Sequence, residues 1–461
     1  MDNDRIKHLI ANPNNDDAYI LYWMQAEQRP DHNHALAYAV HLANERQLPV
    51  VCLFTVDLSY PDANERHVSF MFEGMKETFD ALKRKGITPV LRQGHIEDAI
   101  DPFLNDTKTI ISDVGHLRWQ RLRRKALYFR LIGETNINLY AVSGHVLVPV
   151  DIASDKEEYG AYTIRPKINR MFKRFLDEDT LPALKNTSSI DLTSDIDIQK
   201  YHEFLKQTSF SDNIKKVTAF TGGPKAAKQR LDDFLKNKLD YYDEANDPGK
   251  NLNSKLSPYL HFGQISPLAI IRAVRNSSAN QDAKDAFLEQ LVIRRELAHN
   301  YVWFNKQYDD FNHMTVNWAY KTMDRHVGDK RPYLYTADDY INQKTHDPYF
   351  NAAMKEMIAT GYMKNYMRMY WGKKIIEWSE DFKTAYNTIL TLNNTYFLDG
   401  RDANSYAGVA WCFGKHDRAW KERDVFGKLR YMNENGLTRK FDMDAYLNRV
   451  DQYEKDKEEK S

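Results

Sequence analysis

The sequence predicts two domains of different class: an α/β domain with a Rossmann-like, doubly wound parallel sheet, followed by an all-helical domain. Two observations lead to this prediction. β-rich runs alternate with helical patterns only in the first third of the chain, and 461 residues are enough for two domains that each bury a core. We place the α/β domain at 17–150, a linker at 151–215, the helical domain at 216–450 and a charged tail at 451–461.

Alternating elements define the first domain. Its predicted strands are AYILYWM, PVVCLFTV, TPVLRQG, TIISDVG and INLYAVSG. The predicted helices between them are HNHALAYAVHLANERQ, SFMFEGMKETFDALKRKG and RWQRLRRKALYFRLIGE. This alternation indicates βαβ units and a parallel sheet with helices on both faces. Because no GxGxxG motif follows the first strand, the domain is either a site for another small cofactor or scaffold alone.

Helical patterns alone follow Gly222-Gly223-Pro224. They are PKAAKQRLDDFLKNKLDYY, SPLAIIRAVRN, DAKDAFLEQLVIRRELAHNYVWFN, NAAMKEMIATG, MRMYWGKKIIEWS and FKTAYNTILTLNN. The chain has 28 tyrosines and 8 tryptophans, concentrated in this half, which indicates an aromatic-rich core.

Composition excludes several classes of protein. The 65 basic and 65 acidic residues cancel, so any nucleic-acid surface must be a local patch. No apolar run is long enough to span a bilayer, and the polar N-terminus lacks the core of a signal peptide, so we expect a cytoplasmic protein without membrane contact. Cys52 and Cys412 are far apart and lack metal-ligand spacing, so we expect reduced thiols and no metal site.

Two segments of the helical half can carry chemistry. The run from Asn253 to Ser257 precedes a helix start, where small hydroxyl residues and a lysine either hold a phosphate or cap the helix.

Trp371 and Trp378 are seven residues apart, so they share a helix face at about 10 Å of rise. Such a stripe is either core packing or a chain of oxidisable rings beside a planar cofactor. Arg368, one turn before Trp371, can pair with Asp399.

A third segment mixes aromatic and basic side chains. It runs from Tyr406 to Tyr431 and includes Trp411, Arg418, Trp420 and Lys428. This composition suits stacking on a base while contacting its phosphates, and it also suits an ordinary surface helix.

Taken together, these segments resemble the class II cyclobutane pyrimidine dimer photolyases. The motifs that carry the resemblance are YWMQAEQR near the N-terminus and, in order, SPYLHFGQIS, RREL, KTHDP, YMRMYW-x-KKI-x-EW, LDGRD, YAGVAW and HDRAW-x-ER. The resemblance implies an antenna-type α/β domain and a helical domain that holds FAD in a folded, U-shaped conformation. It also implies a monomer that acts on DNA containing pyrimidine dimers, nucleoid-associated in a prokaryote.

The resemblance assigns roles by position. Flavin binding is implied for Tyr241, Asn253, Ser254, Lys255, Leu256, Ser257, Arg368, Asp399 and Arg401. The implied active-site residues are Gln290, Asn393, Met369 and Trp411. Trp371 is implied as the first residue of an electron relay and Trp378 as its surface end. DNA contacts are implied for Asn246, Arg418, Trp420 and Lys428.

The implied reaction is light-driven repair, in which photoexcited reduced FAD passes an electron to a dimer flipped out of the duplex. A second, antenna chromophore of unknown identity in the α/β domain is an open alternative. Three positions depart from the family pattern: Gln290 replaces a glutamate, Ala245 an arginine, and Phe350 the middle tryptophan of the relay.

Two other functions stay open. A cryptochrome-type blue-light sensor uses the same fold, although this chain has no long C-terminal extension and retains Trp411 and the HDRAW motif. A helical nucleic-acid-binding protein without a cofactor would require the aromatic stripe to be core packing alone.

Overall fold

The computed structural model describes residues 1–13, 16–134, 136–176, 180–210 and 214–458, with side chains described through residue 453. The α/β domain is built on a six-stranded sheet with strand order β1-β6-β5-β2-β3-β4. The strands are β1 (Ile6–Ile10), β2 (Ile20–Met24), β3 (Val50–Val56), β4 (Thr88–Gln93), β5 (Thr109–Asp113) and β6 (Asn138–Val142).

Strands β2 to β6 are mutually parallel, as the alternation of elements predicted. All five residues of β2 are buried, which is typical of a strand covered by helices on both faces. The edge strand β1 was not predicted. It pairs antiparallel with β6, and its three central residues are exposed, so it lacks the apolar run of an internal strand.

Helices on both sides of the sheet complete the first domain: α1 (His34–Arg46), α2 (Glu65–Arg84), α3 (Ile96–Ala99) and α4 (Arg118–Leu131). The segment predicted as a linker is largely ordered and contains α5 (Val150–Ala153), α6 (Ala161–Phe175) and α7 (Tyr201–Gln207). Its residues 177–179 and 211–213 lie outside the described part of the chain. Helix α6 packs Ile164 and Ile168 into one core with helices of the second domain, so this segment is part of the folded body.

The second domain is helical throughout its described residues, as predicted. Its helices are α8 (Pro224–Asn237), α9 (Ser257–His261), α10 (Pro267–Asn276), α11 (Gln281–Leu288), α12 (Arg295–Phe304), α13 (Asn317–His326), α14 (Ala337–Ile341), α15 (Pro348–Thr360), α16 (Asn365–Trp378), α17 (Phe382–Tyr396), α18 (Ala403–Cys412), α19 (Glu434–Thr438) and α20 (Met443–Glu458). Helix α20 continues into the predicted tail, of which residues 459–461 lie outside the described residues. Every described helix is too short or too polar to cross a membrane.

A π-helical turn, Glu289–Arg294, joins α11 to α12. The sequence pattern predicted one continuous helix here, because an added residue in a turn does not disturb the surrounding apolar periodicity. Such turns widen a helix locally and are frequent at functional sites. This turn contains Gln290.

Buried polar contacts join the two domains. Arg66 of α2 donates to the backbone oxygens of Met357, Ile358 and Tyr396. In the opposite direction, the buried carboxylate of Glu296 on α12 accepts from the amide of Leu147 at 2.6 Å. Since both side chains are buried, separating the domains would expose apolar surface and leave these charged groups without their partners.

Candidate active site

A cavity of about 450 Å³ opens between helices of the second domain. This volume lies within the range of about 300–1,000 Å³ that is usual for cofactor pockets. Its walls come from the turn before α9, the π-helical turn, and helices α16 to α18. The lining includes most of the flavin-binding and active-site residues implied by the resemblance: Asn253, Ser254, Lys255, Leu256, Ser257, Gln290, Arg368, Met369, Asn393 and Asp399.

One end of this cavity is rich in positive charge. Burial and the neighbouring charge of Arg449 lower the pKa of Lys255 to about 8 and that of Lys364 to about 7. Glu356 pairs with Arg449 at 2.8 Å, and Nζ of Lys364 donates to the backbone oxygen of Asp247. Lys255 lines the cavity, and the charges of Lys364 and Arg449 lie near it, facing the carboxylates of Glu356 and Asp247. An anionic group bound beside Lys255 would therefore offset the mutual repulsion of these cations.

Backbone conformation at this end brings polar groups towards the cavity. Lys255 adopts a left-handed conformation with φ of 53°, which turns the chain between Asn253 and the start of α9. The Oδ1 atom of Asn253 is buried without a hydrogen-bond partner among the described residues. A buried acceptor is rarely left unsatisfied, so this atom fits a site that a ligand completes. The residues present therefore fit the phosphates and hydroxyl chain of a dinucleotide.

A largely buried ion pair lines the cavity. Arg368 donates through Nη2 to both carboxylate oxygens of Asp399, the pairing that the sequence analysis anticipated. Its guanidinium also lies 3.9 Å from the ring centroid of Phe397, which holds it against the cavity wall. Asn393, on α17, lines the same region and donates from Nδ2 to Asn394. This arrangement places a fixed charge pair and an amide beside any planar ring bound here.

The mouth of the cavity is open and polar. Gln290, exposed on the π-helical turn, lines it together with Ala245 and Asn246. Gly408 also lines the cavity, and a Cβ added to it would meet only the methyl carbon of Met369 within 4 Å, at 3.8 Å. Because Gly408 has no side chain, the cavity has space for a second planar group near a planar ring bound beside Arg368 and Asp399.

The two tryptophans implied as an electron relay, Trp371 and Trp378, differ in their relation to the cavity. Trp371 lines it and donates from Nε1 to the sulfur of Met354 at 2.9 Å. Trp378 was predicted to be the surface end, and this prediction is wrong, because only 1% of it is exposed. It packs 5.2 Å from Phe350, and the rings of Tyr335 and His346 cover it. Tertiary packing of the 333–346 segment, which helix periodicity does not report, buries this indole.

An aromatic and basic surface lies at the end of α18 and on the loop that follows it. We call it the Trp420 surface; it comprises Trp411, Arg418, Trp420, Lys428 and Arg430. Arg430 lies 5.3 Å from the ring centroid of Trp411 and 4.2 Å from that of Trp420. The guanidinium of Arg418 lies 5.0 Å from the Trp420 ring. The backbone of Trp420 donates to Lys428, so the loop folds back on itself and presents these side chains together.

Three residues lie elsewhere than the resemblance implied. Tyr241 is 57% exposed and does not line the cavity; the adjacent Tyr242 does, because the chain is kinked in this 3-10 helix. Trp411 faces Arg430 rather than the cavity wall. Arg401 lines a second cavity, because its left-handed backbone, with φ of 65°, turns it away from Asp399.

This second cavity, of about 140 Å³, lies where the carboxyl ends of β2, β3 and β4 meet the helical domain. Aromatic side chains including Trp23, Tyr60 and Trp119 line it. Arg401 lies 5.2 Å from the Tyr60 ring centroid, and its buried Nε has no hydrogen-bond partner among the described residues. The crevice at the carboxyl ends of parallel strands is the usual ligand site of such sheets.

Lys364 and Arg449 were missed by sequence reasoning. They lie 109 and 194 positions from Lys255 and share no local motif with it. The only available signal was the position of Lys364 just before the aromatic stripe.

Comparison with known proteins agrees with the family resemblance that the sequence motifs indicated. A family model described as DNA photolyase matches residues 20–185. A deoxyribodipyrimidine photo-lyase from Methanothermobacter thermautotrophicus is 41% identical over 449 residues, covering 97% of this chain and 98% of that protein. The chain belongs to the DNA photolyase family.

Two solved photolyases share its fold at low identity. A class III photolyase from Agrobacterium tumefaciens superposes with a TM-score of 0.74 at 18% identity, covering 94% of this chain and 86% of that one. An archaeal photolyase from Sulfolobus tokodaii, solved with two FAD molecules, gives a TM-score of 0.70 at 17% identity, covering 93% and 88%. The predicted photolyase resemblance, fold class and enzyme class are confirmed; the class II subclass and the individual site roles stay predictions.

Proposed function

We propose that this photolyase is a class II enzyme that repairs cyclobutane pyrimidine dimers in DNA with bound, reduced FAD. One observation carries the proposal: a single cavity joins a cationic end, a buried Arg368–Asp399 pair and an open mouth at Gln290. That order of environments matches a dinucleotide bound with its phosphates inside and its ring towards a second planar molecule.

Each part of the cavity has a separate task in this proposal. Lys255 binds the pyrophosphate, assisted by Ser254 and by Ser257 at the start of α9, and the nearby charges of Lys364 and Arg449 strengthen the attraction. Arg368 and Asp399 hold a fixed charge pair beside the flavin ring, and Asn393 offers an amide to it. When bound, photoexcited reduced FAD supplies the electron that splits the cyclobutane ring and receives it back.

The residues at the mouth hold the lesion. The amide of Gln290 donates a hydrogen bond to a pyrimidine carbonyl, and unlike a carboxylic acid it has no acidic proton to give. Met369 and the space beside Gly408 accommodate the flipped bases. The Trp420 surface contacts DNA beside the mouth, with Arg418 and Lys428 at phosphates and Trp420 stacked on a base.

We further propose that the second cavity holds an antenna chromophore. Its support is the unpartnered Arg401 guanidinium nitrogen beside Tyr60, at the carboxyl end of the parallel sheet. The chain acts as a monomer in the cytoplasm or on the nucleoid in this proposal.

A blue-light repair assay tests the proposed function. The substrate is an oligonucleotide with one thymine dimer, the flavin is reduced beforehand, and recovery of thymine absorbance is measured. We expect repair of the dimer and none of a 6-4 photoproduct. The Lys83→Ala variant, altered at an exposed residue of α2, serves as control and should repair normally. A folded protein that binds FAD and repairs nothing would indicate the sensor alternative, and one that takes up no FAD would overturn the proposal.

A further inference from the structure

Helix α6 is a local concentration of positive charge in a chain whose charges otherwise balance. Its sequence, AYTIRPKINRMFKRF, has five basic residues and no acidic one. Three of the five have carboxylate partners: Arg165 with Glu289, Lys167 with Glu158, and Arg174 with Asp2 and Asp4. Arg170 and Lys173 are exposed and have no ion pair with any described residue. The acidic run 177–179 that follows the helix lies outside the described residues.

The free charges share one face of the helix with an exposed aromatic ring. Ala161, Ile164, Ile168 and Phe175 are buried, which orients the helix. The opposite face exposes Tyr162, Asn169, Arg170 and Lys173, and the neighbouring Tyr159 lies with its ring centroid 6.1 Å from that of Tyr162. Tyr162 is 65% exposed, although a tyrosine usually packs its ring against protein. We call Tyr159, Tyr162, Arg170 and Lys173 the α6 surface.

Ion pairs fix the start of α6 at the mouth of the active-site cavity. Arg165 donates to both carboxylate oxygens of Glu289, at 2.9 and 3.1 Å, and Glu289 directly precedes Gln290. Glu157 pairs with Lys415, three residues before Arg418 of the Trp420 surface. The α6 surface therefore begins between the lesion-binding mouth and the Trp420 surface.

Arg294 connects these two sites independently. Its Nε lies 3.3 Å from Glu289. Burial, with the charges of Lys415 and Arg294, lowers the pKa of His416 to about 3, which places Arg294 near the start of the Trp420 loop. Ion pairs thus connect α6 to the mouth through Glu289, and the segment before α6 to the loop that carries Trp420 through Glu157 and Lys415.

We propose that the α6 surface binds the DNA that flanks the lesion, as a second contact beyond the Trp420 surface. This inference rests on the proposed function. The 15 residues of α6 extend about 22 Å, a length that matches about six base pairs of B-form DNA. Arg170 and Lys173 contact phosphates, so the binding carries no sequence preference. Tyr159 and Tyr162 pack on the sugar or base nearest the mouth.

The double variant Arg170→Ala/Lys173→Ala tests this surface in the full-length protein. Affinity is measured for a duplex of about 20 base pairs, with and without a dimer, and for a lesion-bearing single strand of about five nucleotides, chosen to be too short to extend to Arg170 and Lys173. We expect duplex affinity to fall about tenfold and the salt dependence of binding to lose about 1.8 from its slope, equivalent to two phosphate contacts. Affinity for the short strand should not change.

The matched control is Lys83→Ala/Arg84→Ala, which removes the same charge from exposed positions of α2. It should leave both affinities unchanged. An equal loss of duplex affinity in the control, or an unchanged salt slope in the α6 variant, would overturn the inference. Equal weakening of the short strand would also overturn it, because the helix would then serve the cavity itself.

The tyrosines provide a second readout. Tyr162→Phe should bind the duplex as the parent does, whereas Tyr162→Ala should bind it severalfold more weakly; equal binding by both would contradict the assigned role of Tyr162. Failure of the proposed function is separately visible. If the proposed function is wrong, the unaltered protein repairs no dimer and does not prefer damaged DNA. The affinity of the α6 variant for undamaged duplex, compared with that of the unaltered protein, then still tests the α6 surface.

Discussion

Arg368 and Asp399 form a two-pronged contact inside the cavity, with Nη2 of the arginine 2.9 and 3.0 Å from the two carboxylate oxygens. Both side chains are largely buried. Removing one partner of such a pair lowers the free energy of unfolding, because the other charge stays in a poorly solvated environment without its counter-ion.

We therefore expect Asp399→Ala to lower the free energy of unfolding by about 3 kcal/mol, and to reduce the FAD retained per chain. Urea denaturation and the flavin-to-protein absorbance ratio measure the two effects. Asp195→Ala is the control, since it removes the more exposed Arg92–Asp195 pair and should cost about 1 kcal/mol or less. If the two variants lose the same stability, the buried pair does not have the role inferred for it.

The proposed electron relay has Phe350 at its middle position, and a phenyl ring is harder to oxidise than an indole. Phe350 touches Trp378 and Tyr340, and Trp371 contacts Phe397 instead. We expect oxidised FAD to be photoreduced poorly and Phe350→Trp to improve the yield severalfold, measured by flavin absorbance under blue light with an external reductant.

Phe350 is fully buried, so the larger indole should also cost about 1–3 kcal/mol of stability. Repair by enzyme reduced beforehand should not change, which separates the relay from catalysis. If the parent protein photoreduces efficiently and Trp378→Phe does not slow it, another route supplies the electron.

Gln290 lies at the mouth of the cavity on the π-helical turn. Gln290→Glu keeps its size, and because the position is exposed the change should hardly affect stability. We expect the repair yield per absorbed photon to be preserved or raised, measured with the flavin reduced beforehand. Gln290→Ala, which removes both hydrogen-bonding groups, should lower lesion affinity by about 1 kcal/mol. A large loss of repair in the glutamate variant would show that the amide is required here.

Three histidines are buried where the domains meet. His116 and His145 come from the first domain and His299 from α12, with ring centroids 4.8 to 6.2 Å apart. Among the described residues no group of His, Cys, Asp or Glu is arranged to hold a metal ion. Burial, with the charge of Arg295, lowers the pKa of each ring, that of His299 to about 3. His261 and Asp402 also face this cluster.

Acid should therefore destabilise the protein through this cluster. The folded rings stay neutral while the unfolded rings bind protons below about pH 6.5, so stability falls as the pH drops from 6.5 towards 3. Each ring contributes up to about 1.4 kcal/mol per pH unit. His299→Phe should make the fall shallower by one proton, measured by urea denaturation at several pH values. His41→Gln, at an exposed histidine, is the control; an equal effect in both would contradict the prediction.

Local patterns in the sequence determined the fold class and most of the elements. The parallel strands of the first domain and the helices of the second were predictable because burial on two faces, or on one stripe, leaves a short-range periodicity. The pair of Arg368 and Asp399 followed from their motifs. Most of the flavin-binding and active-site residues that the family motifs implied line the cavity.

Only the tertiary structure decided how distant segments meet. It brought Lys364 and Arg449 to Lys255, buried Trp378 under Tyr335, turned Arg401 into the second cavity and attached α6 to the cavity mouth. Each of these depends on contacts between residues far apart in the chain. Periodicity reports which face of an element is buried, whereas the neighbour that buries it depends on the packing of the whole chain.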